Sequence, residues 1–106
     1  MPSEPVTIAI VEDSAGLRRN LETIVQRAEG FECVGSFEDG EQAVAAIPAL
    51  RPKVVLMDIN LPGMNGMQCV ERLARNLPDT HMIMITVYDD TDAIFDSLAA
   101  GAGGYL

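Results

Sequence analysis

Positive charge is what this chain has least of. Seven lysines and arginines face 16 aspartates and glutamates, for a formal net charge of −9 over 106 residues. Such a balance repels the phosphate backbone, which excludes direct nucleic-acid binding by this domain, but it favours a divalent cation wherever carboxylates converge. Cysteine is scarce too. Only Cys33 and Cys69 occur, each inside an apolar-periodic stretch, and they read as reduced, buried thiols acting as small hydrophobes. No apolar run approaches membrane-spanning length, and the Met1-Pro2-Ser3-Glu4-Pro5 start carries no basic segment. The expectation is a soluble, cytoplasmic protein with no membrane contact. With 48% hydrophobic and 22% charged residues, the chain suits one domain over residues 1–106 with a single core.

Two textures alternate along it. Val6–Val11 is a short β-branched run that stops at Glu12-Asp13-Ser14. Leu17, Leu21, Ile24, Val25 and Ala28 then fall at helical spacing, with Gly30 placed to stop the helix. Phe31–Phe37 predicts a second strand. Asp39-Gly40-Glu41 opens a helix through Ala43, Val44 and Ile47 that should end near Pro48. Lys53–Met57 is a strand apolar on both faces, as in the middle of a parallel sheet covered by helices on both sides. Met67, Val70, Leu73, Ala74 and Leu77 mark a third helix closed by Pro78, and His81–Thr86 a fourth strand. A fourth helix is expected from the acidic cluster at Asp89-Asp90-Thr91-Asp92 through Ile94, Phe95 and Leu98. Gly101–Gly104 breaks it, and Tyr105-Leu106 begins a fifth strand. This βαβαβαβαβ alternation predicts an α/β domain with right-handed crossovers, whose ligands lie beyond the carboxyl ends of the strands.

At that edge the chemistry converges. The first strand ends in Glu12-Asp13, the third in Asp58 and the fourth in Thr86. Carboxylates gathered there repel one another unless a cation sits between them, and hard oxygen ligands suit Mg²⁺, with the backbone carbonyl of Asn60 as a neutral donor. A carboxylate beside that metal is equipped to attack a phosphoryl group and carry it as an aspartyl phosphate. Asp58, alone on the central strand, is the candidate nucleophile, and Thr86 the hydroxyl that meets a phosphoryl oxygen.

These residues carry a resemblance. Glu12-Asp13, Met57-Asp58 with Leu61-Pro62-Gly63-Met64-Asn65-Gly66, Ile85-Thr86 and Gly101–Leu106 together resemble the receiver domain of a two-component response regulator. The resemblance implies a flavodoxin-like, doubly wound parallel sheet of strand order 2-1-3-4-5. It implies Mg²⁺ held by Glu12, Asp13, Asp58 and the Asn60 carbonyl, and a phosphoryl group taken by Asp58 from a sensor histidine kinase. Thr86 matches the switch hydroxyl and Tyr105 the aromatic that turns inward with it. The domain is then a self-phosphorylating switch, not a turnover enzyme. The Thr86-Val87-Tyr88-Asp89-Asp90 wording is similar to receivers followed by a helix-turn-helix, DNA-binding output domain.

Family receivers carry a lysine shortly after the Gly-Tyr-Leu of strand five, and then a last helix. Both would lie past Leu106, so a receiver lacking the last helix is expected, with an exposed apolar face near strands one and five that promotes self-association or segment exchange. Lys53 and His81 stand at the wrong edge for phosphoryl chemistry. Val87, where Ala or Gly is common, is expected to narrow the route to Asp58, and Asn65, where Asp is common, is expected to be neutral. The methionines read as core filler. Three rivals remain: a flavin or nucleotide binder, disfavoured by acids where phosphate would need amides; an aspartate-based phosphatase, disfavoured because the acids are adjacent and not spaced i, i+2; and a receiver-like module that works by binding alone.

Overall fold

Four β-rich runs and three helical ones fold as their patterns dictate in the computed structural model, which describes residues 4–59, 61–85 and the backbone of 104–105. The elements are β1 (Val6–Val11), α1 (Ala15–Arg27), β2 (Phe31–Phe37), α2 (Gly40–Leu50), β3 (Val54–Asp58), α3 (Gly66–Asn76), β4 (His81–Ile85) and β5 (Gly104–Tyr105). All four strand pairings are parallel, and the sheet runs β2-β1-β3-β4-β5. The doubly wound order expected from the resemblance is present.

The sheet's two faces sort the side chains by the two-residue period of a strand. Ala9 and Val11 of β1, Val55 and Met57 of β3, and Met82 and Met84 of β4 point one way. There they bury against Ala43 and Ile47 of α2 and Cys69, Val70 and Leu73 of α3. Ile8 and Ile10 point the other way, onto Val25 and Leu21 of α1, with Val54 and Leu56 half-buried beside them. Methionine fills the first core as expected, and the thiol of Cys69 is fully buried in it, pushed up to about 12 by loss of solvent. Cys33 is half-buried, and both cysteines are free thiols.

Three boundaries differ from the sequence reading. Helix α2 runs through Pro48 to Leu50. Proline there forfeits only one amide bond, and the following turn is closed by Arg51, left-handed at φ 47°, whose N–H donates to the Ile47 carbonyl at 3.1 Å. Strand β3 begins at Val54 and includes Asp58, whose backbone pairs in register with Ile85. Helix α1 ends at Arg27 with Ala28 as its cap, so Gly30, at φ 86°, serves the turn into β2 and not the helix stop. The expected fourth helix lies outside the described residues.

Candidate metal centre

Glu12 follows the last residue of β1 and stays tied to the sheet, its N–H donating to the Phe37 carbonyl of β2 at 3.0 Å. The chain then turns at once into α1. Ser14 caps that helix by accepting the Leu17 N–H at 3.4 Å, while its own N–H donates to Glu12 Oε2 at 3.0 Å. One turn along α1, Arg18 Nη1 reaches back to the Glu12 carbonyl at 2.8 Å. Asp58 arrives from the neighbouring strand. Because Val11 pairs with Met57, the residues after them, Glu12 and Asp58, come level at the carboxyl edge of the sheet.

One oxygen from each of Glu12, Asp13 and Asp58 lies within 4.8 Å of the others. Three carboxylate oxygens this close form the hard donor set that would suit one small divalent cation such as Mg²⁺. Glu12 is 4% exposed and Asp58 9%, whereas Asp13 stands in solvent. Burial is the main reason the Glu12 carboxyl is pushed up to about 7. The Ser14 N–H opposes the shift, and the Asp13 and Asp58 carboxyls add to it. Burial therefore disfavours the charged form of Glu12, which a facing cation would favour.

The structure thus brings together Glu12, Asp13 and Asp58. Asn60 and Thr86 lie outside the described residues, and of Tyr105 the backbone alone is described, paired with Met84. Lys53 and His81 stand at the opposite edge, where the His81 N–H donates to the Lys53 carbonyl at 2.8 Å. Sequence reasoning missed two supports. Arg18 was legible only as a polar-side helix residue, although an arginine one turn after an acidic pair is placed to return to it. Gly66 packs so closely on β3 that a Cβ there would overlap the Asp58 carbonyl oxygen; its place at the end of the Pro-Gly loop was the only signal.

The response regulator receiver domain family matches residues 8–106. The chain belongs to that family. Among curated relatives, this receiver is 35% identical over 101 residues to the transcriptional regulatory protein DegU of Brevibacillus brevis, covering 95% of the chain and 43% of DegU. Among solved structures, it superposes on the response regulator domain of Thermotoga maritima CheB with a TM-score of 0.90 at 28% identity, covering 97% of the chain and 78% of that one. The CheX–CheY–BeF₃–Mg²⁺ complex of Borrelia burgdorferi is similar with a TM-score of 0.88 at 28% identity, covering 97% and 78%. The chain spans about half the length of the curated relatives it matches. As a receiver, it is the phosphoacceptor module of a response regulator. No helix among the described residues is long and apolar enough to cross a membrane.

Proposed function

We propose that Asp58 is the phosphoacceptor, that Glu12, Asp13, Asp58 and the Asn60 carbonyl hold Mg²⁺, and that a sensor histidine kinase is the phosphodonor. The observation that carries this reading is the trio of carboxylate oxygens within 4.8 Å at the carboxyl edge of a parallel sheet. The BeF₃ and Mg²⁺ named for the similar CheY complex support the same chemistry. When bound, the metal neutralises charge on phosphoryl oxygens.

The chain's own residues do the rest. An Asp58 carboxylate oxygen attacks phosphorus, a new O–P bond forms, and the P–N bond to the donor imidazole breaks with its electrons returning to the ring. Glu12, with Arg18 on its carbonyl and the Ser14 N–H on its carboxylate, keeps the acidic edge in place. Thr86 and Tyr105 then draw inward and remodel the surface presented to an output domain, a population shift between two states. By likeness to the transcriptional regulatory protein DegU, that output acts on transcription; in this reading it binds DNA, and the switch works in the cytoplasm.

Intact mass after incubation with acetyl phosphate and Mg²⁺ tests the reading. One phosphoryl gain, absent in Asp58→Asn and without Mg²⁺, is expected. No gain under any condition overturns it in favour of a module that works by binding alone. Self-association belongs to the same reading. On the α1 face Val54 and Leu56 stay half-buried in mid-sheet, while Val55 and Met57 opposite are fully buried. Sedimentation velocity should show concentration-dependent association, and a concentration-independent monomer would count against it.

A further inference from the structure

The connection from β3 to α3 is gripped at two points. At its base, the Gly66 N–H donates to the Ile59 carbonyl at 3.1 Å, and Gly66 packs directly on the Asp58 peptide. At its crest, the Met64 N–H donates to Glu41 Oε1 at 2.8 Å, across 23 residues of sequence. Glycines line both sides of that second grip. A Cβ on Gly63, which is left-handed at φ 68°, would stand 2.8 Å from Glu41 Oε1, and one on Gly40 would stand 2.7 Å from the Met64 carbonyl oxygen. Met64 is thus held by its N–H on a carboxylate, and its carbonyl oxygen lies where a side chain at position 40, in the first turn of α2, would intrude. Helix α3 joins the same point through Cys69 Sγ, which donates to the Gly40 carbonyl at 3.8 Å.

We propose that Glu41 is a positioning residue for the Asp58 site, clasping the β3–α3 connection to α2 and so fixing the peptide from which the Asp58 carboxylate projects. The inference rests on the reading of Asp58 as a metal-binding phosphoacceptor. Glu41 is exposed and adds nothing to the core. What it supplies is one charge-assisted hydrogen bond at a set place, and the Met64 N–H holds its carboxyl below the usual carboxylate range, so the acceptor is ionised at neutral pH. With the crest fixed and Gly66 seated on Asp58, the connection has little freedom to tilt the carboxylate. Metal ligands are tuned in this way by the groups that orient them.

The test uses Glu41→Ala and Glu41→Gln in the whole chain. Without magnesium, Glu41→Ala should speed amide hydrogen exchange at Met64 by about tenfold while β1 amides keep their protection. With magnesium, calorimetric titration should show half-saturation raised about threefold or more, less than loss of a directly bonded partner would cause. Glu41→Gln, which keeps an oxygen acceptor, should fall between wild type and Glu41→Ala on both readouts. Unchanged Met64 exchange, exchange accelerated equally at every amide, or an unchanged magnesium half-saturation would each overturn the proposal. A wild-type chain that never saturates with magnesium overturns the Asp58 reading itself, and the Met64 exchange result separates that failure from a failure of the clasp.

Discussion

Glu12 shows what a carboxylate costs at the buried end of a strand. Its folded carboxyl is raised from 4.5 to about 7, chiefly by burial, so the folded chain binds this proton more tightly than the unfolded chain does. The sign follows. Glu12 contributes nothing unfavourable below about pH 4.5, costs progressively more as pH rises to about 7, and holds a constant penalty above that. Glu12→Gln in EDTA should therefore match wild type in urea melts at pH 4.5 and exceed it at pH 8, by on the order of 1 kcal/mol after allowance for screening at a solvent-facing edge. Equal stability of the two at both pH values would mean that the Glu12 carboxylate is not strained by burial. The sequence displayed Glu12, Asp13 and Asp58 openly, because acids at the ends of apolar strands have no structural reason to be there.

At the scale of elements, the connection after β3 sets the limits on Asp58. Asn65 caps α3 through a capping box, accepting the Gln68 N–H at 2.9 Å while its own N–H donates to Gln68 Oε1 at 3.2 Å. That fixes where α3 begins, and Gly66, the next residue, has no room for a side chain against the Asp58 carbonyl. Gly66→Ala must push α3 away from β3 or tilt the Asp58 peptide. It should destabilise the domain by about 2 kcal/mol, in the range of other overpacked sites, and slow acetyl phosphate labelling of Asp58 in intact-mass time courses. Gly16→Ala is the control, since a Cβ there meets nothing within 4 Å; a Gly66→Ala chain as stable and reactive as the control would show that the contact relaxes at no cost. The order and type of these elements were legible because each obeys one hydrophobic period. Their ends were less so. Pro48 marked the end of α2 on paper, yet a last-turn proline removes a single bond while buried Ile47 holds the helix to the core. The Glu41–Met64 contact was invisible in sequence, since a bond across 23 residues leaves no local pattern.

For the whole molecule, the sheet order decides everything the site needs. Placing β1 beside β3 is what sets Glu12 level with Asp58, and a different order would have scattered the same acids along the edge. Periodicity cannot choose that order, because any parallel arrangement buries the same faces; the resemblance supplied it. The consequence is a chain of net charge −9 with part of its negative charge concentrated at one point. Magnesium should then stabilise the fold by two separable routes, general screening and occupation of the site. Screening depends on ionic strength alone, whereas a site occupied at 100 times its dissociation constant adds about 2.7 kcal/mol. Thermal melts at matched ionic strength should therefore rise by roughly 10 °C or more with MgCl₂ over NaCl. The excess should vanish in Asp58→Asn paired with Glu12→Gln, which leaves the sheet intact but removes two of the charges that face the ion. If NaCl stabilises as well as MgCl₂ at equal ionic strength, the acidic edge is only a source of repulsion, and the metal reading of the site fails with it.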